Sequence, residues 1–412
     1  MNNRSLFLLL LSLATATSVL ANSTLTSVTA SQRWPWNGKV DIDYTLTSNA
    51  SFPVFRVAFH GQIENGSVFT LSSIEGEGTC GIVLGDGVKR ITWNSTVDKP
   101  STDTNDAKFN VIALDVSGNA SKYLKLDLAD YTMSPSATGP TNVGHNNACK
   151  TTNIWFRRIN NGTFYMGSAS DEPNRAPGGI PEDKHQVTIT RPIYLGVLET
   201  TADQYSRIMN IQTGRNSKLP RVQIQEKELR GETYGMTWPE KTDYRVDDGS
   251  FFGTLRQKTG YGLIFDLPTE AEWELAARDK GDGTYHGDYV WNDGVAFYDP
   301  QTQITDWSHL TNVAWNADPN SEVKEVGLLT PGMNGLYDMH GNAWDYCLDR
   351  LSKNLGFNPV TDPVGNASKK ANFCCKGGGI FKTDTPAHCR MAMRMSKDAK
   401  NGNCGFRIAI HY

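Results

Sequence analysis

Cysteine gives this chain its widest range of chemistry, because a thiol can ligate a metal, attack a substrate or form a disulfide. The sequence contains seven cysteines, and five of them lie between Cys347 and Cys404; the full set is Cys80, Cys149, Cys347, Cys374, Cys375, Cys389 and Cys404. No pair has C-x-x-C spacing and no Cys/His cluster follows a zinc pattern, so we predict no structural zinc. Adjacent Cys374 and Cys375 would point to opposite faces of a strand. The odd count leaves at least one thiol free or joined between molecules, and the pairing of the others stays open.

Other residue patterns that carry catalysis are missing from the sequence. It contains no G-x-S-x-G elbow, no H-E-x-x-H helix and no paired-carboxylate motif. We interpret six scattered histidines as surface or structural residues: His60, His145, His185, His286, His309 and His411. The stretch from Gly76 to Gly81 matches G-x-G-x-x-G, but its polar, strand-like flanks indicate a glycine-rich turn instead of a nucleotide-binding loop.

The composition is that of a folded, multi-domain protein of 412 residues, 38% hydrophobic and 20% charged. The 40 basic and 44 acidic side chains give a net charge of −4. A dedicated nucleic-acid-binding protein usually carries a basic surface, so this balance argues against a nucleic-acid partner.

The first residues have the pattern of a secretory leader. Met1 to Arg4 form a basic start, Leu6 to Leu20 form an apolar or small-residue run, and Val19 and Ala21 supply the small residues of a cleavage site. We therefore predict a signal peptide over residues 1–21, cleaved after Ala21, and export to the periplasm, the cell surface or the extracellular space. The apolar run is shorter than the roughly 20 residues that span a bilayer, so we predict no membrane-spanning segment.

Within the first predicted domain, residues 22–132, the stretch 28–130 alternates between apolar and polar side chains, as half-buried strands do. Val40, Ile42, Tyr44 and Leu46 form one such series, and Leu124, Leu126 and Leu128 form another. This pattern predicts an antiparallel β-sandwich, Ig-like in architecture although the Cys…Trp…Cys spacing of immunoglobulin domains is missing. Residues 133–150 are rich in Ser, Thr, Pro, Gly and Asn, which is a linker composition.

Two helix starts punctuate the second predicted domain, residues 151–412. Thr201 and Gln204 form one S/T-x-x-E/Q capping box, and Thr269 and Glu272 form the other. The first helix would bury Tyr205, Ile208 and Met209, and the second would bury Trp273, Ala276 and Ala277.

Four blocks of this domain occur in a recognisable order. They are G-T-F-Y-M-G-S from Gly162, L-P-T-E-A-E-W-E-L-A-A-R from Leu267, G-L-Y-D-M-H-G-N-A-W from Gly335, and G-F-R from Gly405. The blocks resemble the formylglycine-generating enzyme family, also called the sulfatase-modifying factor family, over about residues 152–410. This resemblance implies an irregular C-type-lectin-like fold, so we expect an α+β protein with a β-sandwich before it.

The resemblance also implies where oxidase chemistry would lie. The family's oxidases bind copper through a C-x4-C pair that follows a Gly-Gly-Ser turn, and soft thiolates suit copper(I). Gly379 stands at the position of the Ser. Counted forward from Gly379, the two thiolate positions hold Lys382 and Ala387; counted backward from Arg394, they hold Phe381 and Pro386. Copper is therefore not expected. Cys389 beside His388 is the one weak catalytic candidate in this stretch, and a disulfide or a buried thiol is the simpler interpretation.

A calcium site is the second implication of the resemblance. Carried over residue by residue, the ligands are the side chains of Asp338 and Asp345 and the carbonyls of Gly341 and Ala343. Calcium prefers such hard oxygen ligands, although a solvated acidic turn would have the same sequence. Asp345 replaces the family's Glu and is one methylene shorter. A surface groove lined by Trp344, Arg394 and Asn403 is implied as well, although Trp is also a natural core residue.

The resemblance leaves two functions open, because a fold alone does not determine a function. The first is an exported, non-oxidase binding or accessory module for a peptide, glycan or partner protein. The second is a formylglycine-generating or other metal-dependent oxidase with a rearranged site. The missing thiol pair favours the first.

Overall fold

The computed structural model describes residues 23–33, 37–63, 68–99, 107–175, 179–211, 218–234, 238, 244–316, 320, 322–352, 355–365, 372–381, 383–396 and 404–412. These divide into two compact units. The first comprises the described residues of Met1–Ser121 with Tyr131–Ala137 and Arg256–Leu263, and the second comprises Lys122–Asp130, Thr138–Leu255 and Ile264–Tyr412. The predicted leader and its cleavage point lie outside the described residues. No helix in the described part of the chain has the length and apolar character needed to cross a membrane.

The fold is mixed α/β and consists mostly of sheet. The strands are β1 (Ser23–Gln32), β2 (Lys39–Ser48), β3 (Val54–Ile63), β4 (Phe69–Thr70), β5 (Ile74–Gly76), β6 (Ile82–Leu84), β7 (Gly87–Asn94), β8 (Ala107–Asp115), β9 (Tyr123–Asp127), β10 (Met133–Ser136), β11 (Asn153–Ile159), β12 (Gly162–Met166), β13 (His185–Ile189), β14 (Ile193–Gly196), β15 (Ile264–Asp266), β16 (Tyr298–Asp299), β17 (Ile304–Thr305), β18 (Ala314–Trp315), β19 (His340–Gly341), β20 (Trp344–Arg350), β21 (Val360–Thr361), β22 (Phe373–Lys376), β23 (Met395–Ser396), β24 (Cys404–Gly405) and β25 (Ala409–His411). The helices are α1 (Ser95–Asp98), α2 (Ala148–Thr151), α3 (Ala202–Met209), α4 (Glu226–Arg230), α5 (Phe251–Lys258), α6 (Glu270–Arg278) and α7 (Leu310–Val313), and short 3₁₀ turns lie at Gly118–Ser121 and Pro386–Cys389.

The first unit contains two antiparallel sheets with a common core. One sheet has the order β1-β2-β7-β5, and the other has the order β4-β3-β6 with β8 pairing β3. Ile42, Tyr44 and Leu46 of β2 are buried against Phe55 and Val57 of β3, so the predicted alternation is confirmed from Ile42 to Leu46. The Ig-like assignment stays a prediction. Tight turns follow β5 and lead directly to β6, which confirms that the glycine-rich stretch is a turn.

The boundary between the units differs from the predicted one. Strand β9, which was predicted to belong to the N-terminal sandwich, pairs with β11 of the second unit, and Leu124 lies opposite Phe156. An alternating strand shows only that one face is buried, so it does not identify the sheet that it joins. The predicted linker 133–150 also carries structure, because it contains β10 and most of α2, and Lys150 is fully buried with its Nζ 2.8 Å from Glu325 Oε1.

The second unit is built around a sheet in which β9, β11, β14, β25 and β15 are neighbours in that order. Both predicted capping boxes are confirmed: Thr201 caps α3 with Gln204, and Thr269 caps α6 with Glu272. Every residue of α6 is buried, including its glutamates, so this helix lies inside the unit instead of covering it. A second sheet, in the order β23-β22-β20-β24, packs against α6 through β22 and β20.

Candidate functional site

The loop that contains the predicted calcium ligands runs from Asp338 to Asp345, and a two-residue left-handed turn lies at its centre. Gly341 has φ +74°, and a Cβ there would overlap the carbonyl oxygen of Trp315. Asn342 follows with φ +60°, and its backbone N–H donates to the same carbonyl at 2.7 Å. Gly and Asn are the residues that adopt this backbone region most readily, which accounts for the G-N pair of the block.

Glu199 joins this loop, although the sequence analysis did not identify it. Its Oε2 accepts from Asn342 Nδ2 at 2.6 Å and its Oε1 accepts from the Ala343 N–H at 2.8 Å. Burial, together with the nearby carboxyls of Asp338 and Asp345, raises the pKa of Glu199 well above its usual value. Its position two residues before the Thr201 cap was the only available signal, and nothing in the spacing connects it to a loop more than 140 residues later.

The two predicted acidic ligands are both buried beside Glu199. Asp338 has φ +52°, and its Oδ2 accepts from the Gly327 N–H at 2.7 Å. Asp345 Oδ2 accepts from Trp273 Nε1 at 2.9 Å, while Asp345 Oδ1 is buried with no hydrogen-bond partner among the described residues. Burial raises the pKa of both aspartates.

Arg407, from the G-F-R block, is the counter-charge of this acidic centre, which we define as Glu199, Asp338, Asp345 and Arg407. Its Nε donates to Asp345 at 2.7 Å, and its Nη2 donates to the carbonyls of Tyr337 and Asp338 at 2.6 and 2.7 Å. One guanidinium thus faces three buried carboxyls. A buried charge that lacks a partner is costly, so the centre has capacity for a further cation or for protons.

The predicted calcium ligands can be tested against this geometry. The donors are hard oxygens, and Asp345 Oδ1 is an orphaned carboxylate oxygen, so the chemistry fits calcium. Among the described residues no three Cys, His, Asp or Glu side chains are arranged as a metal site. An ion would therefore depend on the carbonyls of Gly341 and Ala343 in addition to the two aspartates.

Cys389, the weak catalytic candidate, lies at the end of the 3₁₀ turn Pro386–Cys389 in an apolar environment. It is fully buried in an apolar cluster with Trp291, Phe297 and Leu310, and burial raises the pKa of its thiol strongly. Its neighbour His388 accepts the Thr385 N–H at 2.9 Å through Nδ1 and so serves as a cap. These residues do not fit a copper site, because the one thiol is surrounded by apolar groups and no second thiol occupies the spacing.

His340 holds the Cys389 end of this turn. Its Nε2 accepts the Asn292 N–H at 3.0 Å, so the proton must lie on Nδ1, which donates to the Cys389 carbonyl at 2.6 Å. Burial lowers the pKa of His340 to about 4. The ring is therefore neutral and fully engaged in structural hydrogen bonds.

Trp344 and Arg394 do not line a groove, contrary to the prediction. Trp344 starts the central strand β20, is fully buried, and donates through Nε1 to Asp384 at 3.3 Å. Arg394 is buried and donates twice to Glu270, at 2.6 Å each. Both side chains face the interior because they satisfy partners there, and Asn403 lies outside the described residues.

The three glutamates of α6 are buried and each has a charged or titratable partner inside the unit. Glu270 pairs with Arg394, Glu272 lies 3.5 Å from His411 Nδ1, and Glu274 accepts from Lys376 Nζ at 2.8 Å. Each partner comes from a different C-terminal segment. The helix thus connects three C-terminal segments, and its Trp273 reaches Asp345 of the acidic centre.

Comparison with known proteins places this unit in a family. The model of the sulfatase-modifying factor enzyme 1-like domain matches residues 145–412. The chain belongs to this family. The formylglycine-generating enzyme of Streptomyces coelicolor is 32% identical over 150 residues, which cover 35% of this chain and 46% of that protein. The formylglycine-generating enzyme of Thermomonospora curvata is 30% identical over 160 residues, or 35% of this chain and 48% of that protein. The chain thus spans about half the length of the curated relatives it matches.

Two solved structures are also similar to this sulfatase-modifying factor family member. Treponema denticola variable protein 1 shares 21% identity at a TM-score of 0.46, covering 67% of this chain and 99% of that protein. PvdO from Pseudomonas aeruginosa shares 18% identity at a TM-score of 0.46, covering 63% of this chain and 94% of that protein.

Proposed function

We propose that this chain is an exported, non-oxidase member of the sulfatase-modifying factor family, which binds a peptide, glycan or partner protein without oxidising it. One observation carries the proposal: the stretch that would hold the copper thiolates has Cys389 as its single thiol, and that thiol is buried among apolar side chains. A copper thiolate centre needs accessible, deprotonated sulfur, and burial favours the neutral thiol. The N-terminal unit would then be an Ig-like module that presents the second unit.

Calcium is the metal that we propose for this protein. Asp338 and Asp345 would supply carboxylate oxygens, and Gly341 and Ala343 would supply carbonyls. A bound cation would offset the excess of carboxyls over the single guanidinium of Arg407, and its role would be to hold the loop rather than to react.

Metal analysis combined with an activity assay tests the proposal. Purified protein is loaded with copper(I), dialysed, analysed for metals, and incubated with oxygen and a cysteine-containing sulfatase peptide. We expect calcium alone to be retained and no aldehyde to form. Stoichiometric copper or iron, or an aldehyde product, would establish the oxidase alternative instead.

A gain-of-site variant provides the matched control. The double substitution Lys382→Cys with Ala387→Cys restores the C-x4-C spacing in one register, and Phe381→Cys with Pro386→Cys restores it in the other. We expect at least one of them to retain copper(I) when the unsubstituted chain does not. That difference would show that the assay detects a thiolate pair at this place.

A further inference from the structure

Two buried thiols meet on one face of the sheet that contains β20. Cys375 lies on β22 opposite Tyr346, and Cys404 lies on β24 opposite Trp344. Trp344 and Tyr346 are two residues apart on the same strand, so both cysteines project from the same face. The two Sγ atoms are 3.9 Å apart, and both residues are fully buried.

The other cysteines of this region lie elsewhere. Cys374 and Cys347 are one residue out of phase with Cys375 and Tyr346, and both belong to the apolar cluster on the opposite face that contains Trp273 of α6. Cys389 lies in a separate apolar cluster. The strand register thus singles out one partner for Cys404 and separates it from the adjacent Cys374.

We propose that Cys375 and Cys404 are a disulfide-forming pair that closes the segment of residues 376–403. The sulfurs of a disulfide lie about 2.05 Å apart, so the two must approach by roughly 2 Å. Because β20 lies between β22 and β24, this approach requires the backbone of the two-residue strand β24 to move toward β22, in addition to side-chain rotation. With glutathione disulfide as oxidant, one S–S bond forms between the cysteines, one breaks in glutathione, and the two thiol protons and two electrons pass to two glutathione thiols.

The buried position determines when the bond would form. Thiol–disulfide exchange needs a thiolate, and burial raises the pKa of Cys375 well above its usual value in the folded unit. Exchange would therefore occur while the segment is still open during folding, and the completed bond would resist reduction afterwards. Because glutathione disulfide supplies the oxidant in vitro, the inference does not depend on the proposed export.

Peptide mapping of the full chain provides the test. Protein is unfolded and reduced, refolded in a glutathione redox buffer, alkylated and digested without reduction; protein made in an oxidising host compartment is mapped in parallel. We expect a cross-linked pair of peptides, with fragmentation placing the bond between Cys375 and Cys404. Alkylation of both thiols in both preparations, or a bond from Cys404 to Cys374 or Cys389, would overturn the proposal.

Matched variants add a readout that does not depend on mapping. We expect reductant to lower the melting temperature by several degrees in the unsubstituted chain and in Cys374→Ser, whose sulfur faces the other side. The same reductant should have no effect on Cys375→Ser or Cys404→Ser. An equal response in Cys374→Ser and Cys375→Ser would exclude the assigned pairing.

Discussion

The Arg394 guanidinium donates two hydrogen bonds of 2.6 Å to Glu270, and both side chains are buried although 124 residues separate them in sequence. Such a pair gains little over an apolar replacement, but it is costly to break on one side only. The pair therefore acts as a specific connection between α6 and the residue that directly precedes β23.

Removing one partner of that pair should be strongly destabilising. We expect Arg394→Ala to lower the free energy of unfolding by about 3–5 kcal/mol, because Glu270 is left as an unpaired buried carboxylate. Urea unfolding measures the change. Arg207→Ala is the control, since Arg207 pairs with Asp203 on an exposed helix face, where we expect a loss of at most about 1 kcal/mol. Equal losses in both variants would contradict the distinction.

The pair of Glu272 and His411 should make stability depend on pH. The Glu272 carboxylate raises the pKa of buried His411 above its ordinary 6.5, and His411 lowers the pKa of Glu272 below its ordinary 4.5. The histidine contribution is then fully present below pH 6.5 and is lost as pH rises through the higher folded pKa, whereas the glutamate contribution is lost as pH falls through its folded pKa. Both contributions are fully present between about pH 4.5 and 6.5, so we expect His411→Gln to be most destabilising there. Unfolding curves of both proteins from pH 4 to 9 measure this cost. A cost that does not change with pH would rule out the linkage.

Glycine at position 342 should retain more of the stability of the native state than alanine does. Asn342→Ala places a Cβ-bearing residue of poor left-handed propensity at φ +60° and leaves buried Glu199 without one donor, so we expect a cost of about 2–4 kcal/mol. Asn342→Gly keeps the backbone conformation accessible and loses only the amide, so its cost should be smaller by about 1 kcal/mol. Thermal or urea unfolding compares the two, and identical costs would show that backbone conformation contributes nothing.

Calcium should raise the melting temperature of the second unit, since a ligand that binds only the native state stabilises it by mass action. We expect Asp338→Ala to lose most of that shift and Asp345→Glu, which restores the longer side chain, to preserve or strengthen it. Melts of each variant with chelator and with millimolar calcium measure the response. An undiminished calcium shift in Asp338→Ala would identify the loop as an acidic turn.

The sequence was informative wherever a local rule applied. The capping boxes at Thr201 and Thr269, the alternation along β2 and the opposite orientation of Cys374 and Cys375 all follow from the geometry of one helix or strand. It was uninformative wherever the partner is distant. The sheet joined by β9, the burial of Trp344 and Arg394, and the inclusion of Glu199 in the acidic centre each depend on residues far away in the chain. The spacing of apolar residues and the capping residues predict which face of a helix or strand is buried. They do not identify the residues that cover that face.

The arrangement of α6 has a consequence for synthesis. The helix can begin by itself, because Thr269 and Glu272 cap it locally and Arg278 pairs with Glu274. The other cations that its glutamates meet lie at Lys376, Arg394 and His411. A growing chain emerges from the ribosome N-terminus first. Until residue 411 has left the exit tunnel, Glu272 lacks its partner His411, so this carboxylate of a helix destined for the interior must stay hydrated. The second unit consequently closes only after this segment has emerged, and its central helix is among the last elements to lose contact with water.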